Sequence, residues 1–243
     1  MPRASGSGGE DGEGTEDEKV TVIGIETMDM DGYTLYTPHV PTTHLHYKQC
    51  IGVDQYTFEE IIRPGESVVL DVGACEGMAS LQAARLGAAS VFAFEPSPQI
   101  LAALRLLAQD WPTIQVVESA VSDVNGMLTM ELAGMGVSRI VAEGDGERYV
   151  TVPSLRLDTF VGEHCPRVDI IKMDTEGCER RVLLGAEEVL RRDHPILVMS
   201  AYHLPGDDES LPELVRQICP EYGDAELLPA DNGRERVLRM RVG

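Results

Sequence analysis

Between Ser67 and Ser200 the chain alternates two kinds of apolar pattern. Short runs rich in β-branched residues are apolar at consecutive positions: SVVLDV (67–72), SVFAF (90–94), IQVVE (114–118), VDIIKM (168–173) and ILVMS (196–200). Such runs predict strands buried on both faces. The stretches between them carry helical signals. Gly77–Leu86 is stopped by Gly87, Ser97–Ala108 has Pro98 in its first turn, and Glu179–Arg192 reads as a broken helix. Leu211–Ile218 adds a helix, and Ala225–Leu228 and Arg236–Met240 close the chain as strands around Asn232-Gly233, with an antiparallel pair among them. Strands alternating with helices predict an α/β fold, a mostly parallel sheet covered on both faces.

Outside this region the pattern is less regular. Val20–Ile25 and Tyr33–Tyr36 predict a hairpin around Met30-Asp31-Gly32. Asp54–Arg63 predicts a short helix, with Asp54 as N-cap and Pro64-Gly65 as its stop. Gly126 to Val152 reads as a hairpin insertion. Residues 1–19 hold five glycines and six acids with hardly any apolar side chain, the composition of a disordered tail. The organisation expected is therefore an acidic tail at 1–19, a hairpin segment at 20–53 on the substrate side, and the main domain at 54–243.

Charge and composition narrow the function. The 243 residues carry 20 Lys and Arg against 41 Asp and Glu, a net charge of −21. Phosphates would be repelled over most of such a surface, which disfavours nucleic acid and anionic membranes as general partners. No run approaches the about 18 apolar residues of a membrane span. The N-terminus lacks the apolar core of a secretory signal. Five scattered cysteines, with no CxxC, fit reduced thiols and a cytoplasmic location rather than a disulfide framework.

In open α/β sheets ligands bind beyond the carboxyl ends of the strands. At the first end, DVGACEG (71–77), Gly73 permits a tight turn and Gly77 opens the next helix. Cys75 stands where a pyrophosphate-binding loop wants its second glycine, and Glu76 adds negative charge. The loop suits a nucleoside ligand without phosphates, such as S-adenosylmethionine, although plain strand–helix turns of this kind exist. At the second end Glu95 follows Gly73 by 22 residues, the spacing of an acid that accepts two hydrogen bonds from a ribose diol; a helix-preceding acid is the plainer reading. At the third, an adenine would lie against Ala120 and Val121, and Asp123 either bonds its amine or starts the turn at Asn125-Gly126.

The fourth end, IKMDTEGCE (171–179), crowds Lys172, Asp174, Glu176 and Glu179 together. A Lys172–Asp174 ion pair would explain that structurally; lining a reaction site would explain it functionally. At the fifth, SAYH places His203 where an imidazole could take a proton. Of the remaining histidines, His44 and His46 share one face if that segment is extended and could hold a metal, but they lack a third ligand. His39, His164 and His194 read as surface or packing residues.

In their order along the chain, DVGACEG, FEP, SAVSD, VTVPSLRLDTF, IKMDTEGCE and SAYH resemble the FkbM-type S-adenosylmethionine-dependent methyltransferases over roughly Thr57 to His203. The resemblance implies the Rossmann-like methyltransferase fold, with seven strands and a final antiparallel strand. It also implies O-methylation of sugars, polyketides or other natural products, and S-adenosylmethionine as cofactor. By position, Asp71, Gly73, Ala74 and Gly77 would face the methionine part, Glu95 the ribose, and Ala120, Val121 and Asp123 the adenine. Asp174 and its neighbours would line the methyl-transfer site. His203 is nominated as base, Asp174 as the alternative, and Lys172 as an orienting or charge-stabilising group. No metal is required, although the acids at 174, 176 and 179 would suit one. The partner expected is a small molecule rather than nucleic acid or membrane, and a homodimer is compatible. Two rivals remain: a nicotinamide oxidoreductase, which Cys75 and Glu76 count against, and a catalytically silent binding module.

Overall fold

The computed structural model describes residues 24–133, 138–228 and 235–243. The acidic segment 1–19, residues 20–23 of the strand expected at Val20–Ile25 and the Asn232-Gly233 turn lie outside them, and the described Gly24 and Ile25 precede the strand rather than form it. A hairpin opens the described chain, with β1 (Glu26–Met30) paired antiparallel to β2 (Tyr33–Thr37). Its turn is the expected one, with Asp31 and Gly32 both left-handed.

The next segment is not extended. It forms α1 (Val40–Tyr47), continued by a π-helical turn at Lys48–Gly52. His39 caps the helix, accepting from the Thr42 amide, and Pro41 sits in its first turn. The helix was hidden because only Thr43 and Tyr47 are buried, so no apolar period marks it. A helix also separates His44 and His46, which do not share a face. The helix expected from Asp54 shrinks to α2 (Phe58–Ile61), and Asp54 still accepts from the Phe58 and Glu59 amides ahead of it.

The α/β alternation follows as the apolar runs predict: β3 (Val68–Val72), α3 (Met78–Arg85), β4 (Ser90–Phe94), α4 (Pro98–Asp110) and β5 (Ile114–Val117). The insertion is a second sheet rather than one hairpin. It comprises β6 (Ala120–Val121), β7 (Gly126–Glu131), β8 (Arg139–Val141) and β9 (Tyr149–Leu155), in the order β6-β9-β7-β8. Then come α5 (Leu157–His164), β10 (Ile170–Met173), α6 (Glu179–Leu184), α7 (Glu187–Asp193), β11 (Ile196–Ser200), α8 (Asp207–Ile218), β12 (Glu226–Leu227) and β13 (Val237–Met240). The sequence pattern missed α5. Its Asp158 accepts from the Glu188 and Val189 amides and so caps α7.

The main sheet has seven strands in the order β12-β13-β11-β10-β3-β4-β5. The strands from β11 to β5 run parallel, and β13 pairs antiparallel with both β11 and β12. Alternate strand residues serve two cores. Leu70, Phe92, Ile171 and Leu197 pack with α5 to α8, while Val69, Val91, Ile170 and Val198 pack with α3, α4 and the N-terminal segment. Burial on both faces is why the strands read as unbroken apolar runs. The order reverses at β3, flanked by β4 on one side and β10 on the other, so a crevice opens at the carboxyl ends of these three strands.

Candidate active site

Three loops at that crevice are locked together by backbone. Gly73 has φ 76°, and a Cβ there would stand 1.9 Å from the Asp174 carbonyl oxygen, so only glycine lets the β3 and β10 loops cross. The Gly73 and Ala74 amides donate to Phe94 O at the end of β4, at 3.1 and 3.0 Å. Cys75 is also left-handed, at φ 51°, a costly conformation for a residue with a Cβ. Its amide donates to Glu95 Oε2 at 2.9 Å.

Glu95 thus already holds the first loop. Its other oxygen accepts from the Ser97 amide at 2.8 Å. Burial pushes its carboxyl up to about 7, although the Ser97 and Cys75 amides pull the other way. A buried carboxylate at the tip of β4, beside the glycine turn, has the acceptor capacity a ribose diol needs.

Below the loops, Asp71 and Lys172 are register partners on adjacent parallel strands and point to the same face. The ammonium lies 2.8 Å from Asp71 Oδ1 and donates to Gly73 O at 2.8 Å. Asp71 Oδ2 accepts from Ser80 Oγ at 2.6 Å. The lysine's ion pair is therefore with Asp71, not Asp174. Burial opposes the ammonium's charge, but Asp71 and then Asp174 outweigh it and the pKa rises. One lysine ties β3, β10 and the glycine turn together.

Asp174 stands at the open end. Its Oδ2 accepts from Tyr56 Oη at 3.0 Å, and its Oδ1 lies 3.3 Å from His203 Nε2. The imidazole is held from behind by Glu179, 2.8 Å from Nδ1, and Glu176 is 3.7 Å from Nε2. Burial lowers the basicity of His203, but the Glu179 hydrogen bond and the charges of Asp174, Glu179 and Glu176 raise its pKa to about 9. These acids favour the protonated ring.

These groups border a cavity of about 490 Å³. Of the residues expected to bind or react, Gly73, Ala74, Glu95, Ala120, Val121, Lys172 and Asp174 line it. Four others lie outside its lining. Asp71 is sealed beneath Lys172, and Gly77 packs against Leu104 and Leu107 at the start of α3. Asp123 is taken by Arg181 at 2.7 Å, and His203 sits behind Asp174. The second sheet adds Met130 and Ile140 to the wall.

The largest omission from the sequence reading is α1 and the turn after it, which supply Thr42, Leu45, His46 and Gln49. His46 Nδ1 lies 2.8 Å from Glu76 Oε1, and Gln49 donates to Glu235 at 2.9 Å. Burial opposes ionisation of Glu76, yet His46 and the Cys75 thiol bring its pKa down to about 2. Tyr202 completes the open side. The available signals for α1 were the His39 cap and Pro41.

Two groups at this cavity have donor sets that could hold a metal: Asp174 with Glu179 and His203, and His46 with Cys75 and Glu76. In each, the ligand atoms lie within 4.8 Å of one another. Both groups contain an imidazole that is hydrogen-bonded to a carboxylate.

A family-wide sequence profile described as "Methyltransferase FkbM domain" matches residues 71–225. The chain belongs to the FkbM methyltransferase family. Among solved structures, the methyltransferase FkbM from Methylobacillus flagellatus KT is similar, with TM-score 0.62 and 18% identity, over 80% of this chain and 47% of that one. The present chain thus spans about half the length of that relative. An rRNA methylase from Streptococcus thermophilus aligns with TM-score 0.51 and 16% identity, over 80% of this chain and 97% of that one. A putative rRNA-methylase from Clostridium thermocellum gives TM-score 0.51 and 11% identity, over 80% and 96%. At these identities the structural matches establish the Rossmann-like methyltransferase fold. No curated protein matches the chain in sequence.

The cofactor of this FkbM methyltransferase is S-adenosylmethionine, and the cavity fits it. Glu95 would meet the ribose, Ala120 and Val121 would offer an apolar wall to the adenine, and the turn at Gly73 and Ala74 would border the amino-acid end. No described helix is long and apolar enough to cross a membrane.

Proposed function

We propose that this FkbM methyltransferase methylates a hydroxyl oxygen of a small molecule, a sugar, polyketide or related metabolite. Asp174 carries the reading: it is a carboxylate on the cavity wall, fixed by Tyr56 and His203, beside the glycine turn. When bound, S-adenosylmethionine supplies a methyl group on a sulfonium centre. Asp174 accepts the acceptor's proton as the C–O bond forms, a task that needs orientation more than strong basicity. Glu179, Asp174 and Glu176 favour the protonated form of His203, which makes it a poor proton acceptor. It serves as a positioning residue that fixes Asp174. Lys172 holds the crossing of the β3 and β10 loops.

The acceptor's class follows from charge. Glu95, Asp174, Glu176 and Glu235 line the cavity, and no arginine does among the described residues. A phosphodiester chain would meet carboxylates there, whereas a neutral polyol meets hydrogen-bond acceptors. The test has two stages. Calorimetry should show S-adenosylhomocysteine binding to the wild type and weakened binding to Glu95→Ala. Methyl-labelled cofactor should then pass label to a hydroxylated small molecule in a cell extract. Label found in RNA, or turnover that EDTA abolishes and Mg²⁺ restores, would count against the acceptor class or the role of Asp174 respectively.

A further inference from the structure

A third group of metal-ligating side chains stands at the other end of the sheet from the crevice. His194 precedes the first residues of β11, a strand whose carboxyl end leads to His203. Cys219 closes α8, and Glu221 follows two residues later. None of the three lines the cavity. A ring nitrogen of His194, Cys219 Sγ and a carboxylate oxygen of Glu221 all lie within 4.8 Å of one another.

The two segments that carry these donors are already fastened to each other on both sides of the group. Arg191 Nε donates to Ile218 O at 2.9 Å, and Tyr222 Oη donates to Pro195 O at 2.7 Å. One bond joins the residues ahead of His194 and Cys219, and the other joins the residues that follow them. Cys219 is only 1% exposed, yet its thiol is turned to a surface carboxylate, donating to Glu221 Oε2 at 3.1 Å. That hydrogen bond accounts for two of the donors; the imidazole brought to the same point from a different segment makes a ligand set. His194 and Glu221 are both exposed, so a cation has a path in from solvent.

The donor types choose the metal. Mg²⁺ and Ca²⁺ favour shells of oxygen, whereas sulfur, nitrogen and oxygen together suit Zn²⁺. A thiolate and a carboxylate balance the dication, and the imidazole binds as the neutral ring. We propose that His194, Cys219 and Glu221 form a zinc site, its fourth position taken by water, that clamps the start of β11 to the end of α8. Coordination replaces the thiol proton with the metal and releases that proton to solvent, with no change of oxidation state. The site lies away from the chemistry, so its effect is on stability rather than on methyl transfer.

The experiment uses the full chain, first freed of metal with a chelator, and adds Zn²⁺ by calorimetry and Co²⁺ by absorption. Thiolate ligation of Co²⁺ produces a charge-transfer band. The wild type should bind Zn²⁺, show that band with Co²⁺, and unfold at a higher temperature with Zn²⁺ than without it. Cys219→Ser should abolish the band. Cys75→Ser, which removes the thiol of the His46 group, should keep it. His194→Asn, a residue that tolerates the left-handed backbone at φ 49°, should weaken Zn²⁺ by about a hundredfold or more, because even a partner outside the ligand set is worth about 10–100-fold. Glu221→Gln changes an exposed side chain and should weaken Zn²⁺ by at least about tenfold in a folded protein. No zinc uptake by the wild type, a cobalt band that survives Cys219→Ser, or an affinity that neither His194→Asn nor Glu221→Gln alters would overturn the proposal. These readouts involve no turnover, so that result leaves the methyltransferase reading untouched.

Discussion

The two ends of the cavity are built by different means. At the cofactor end, loops that follow β3, β4 and β10 are tied by main-chain contacts: Gly73 under Asp174 O, Cys75 N on Glu95, and Lys172 on Gly73 O. On the wall we assign to the acceptor, the cavity is bounded by side chains from distant segments: Gln49 from the N-terminal helical turn, Tyr56, Tyr202 and Glu235. The first construction fixes a shape that a single cofactor needs. The second can change one residue at a time without disturbing the sheet, which suits a surface that selects among acceptors.

Breaking the cofactor end should therefore cost stability first. Lys172→Met leaves the buried Asp71 without its cation, and we expect a loss of about 3–5 kcal/mol in denaturant unfolding. The double variant with Asp71→Leu should recover much of it. A single variant as stable as the wild type would show that the pair does not hold the loops.

Asp174 lies on the boundary between the two ends. Asp174→Asn should lower kcat by about a hundredfold or more while S-adenosylhomocysteine affinity stays within about threefold. His203→Gln should lower kcat by less. An equal or larger loss for His203→Gln would return the proton-accepting role to the imidazole.

Protonation separates the ends in another way. Glu95, raised to about 7 by burial, holds its proton more tightly folded than unfolded, so it costs stability as pH rises through that value. Only its ionised form accepts both hydrogen bonds of a diol. Affinity for S-adenosylhomocysteine should thus fall as pH drops from about 8 to about 6, approaching tenfold per unit below 7, and Glu95→Gln should flatten that slope. The smallest effect is expected at the acceptor wall. Tyr202→Phe should shift KM by about two- to fivefold with kcat unchanged; a large fall in kcat would place Tyr202 in the chemistry.

The same division explains what could be read from the chain. DVGACEG, Glu95 and the Ala120-Val121 pair are local signals, because a glycine turn and a strand-end acid must occur at fixed distances along one βαβ unit. Asp71 was legible as important but not as buried, since its lysine partner lies 101 positions away and meets it only through strand register. His203 was visible as a histidine beyond a strand. Its protonation depends on three carboxylates from the β10 loop and α6, which no local pattern reveals. Asp123 looked equally free until Arg181 came to it.

Taken alone, the amino-acid sequence determined the α/β class, the order of the central strands along the chain and the cofactor-side motifs. Each of these depends on periodicity or on neighbours a few residues apart. The tertiary structure decided which acids face the cavity and which are neutralised, that residues 40–47 are a helix over the crevice, and where protons reside at pH 7. Those properties depend on burial and on charges brought together from far along the chain, and a carboxylate or an imidazole has no fixed character until its neighbours are in place.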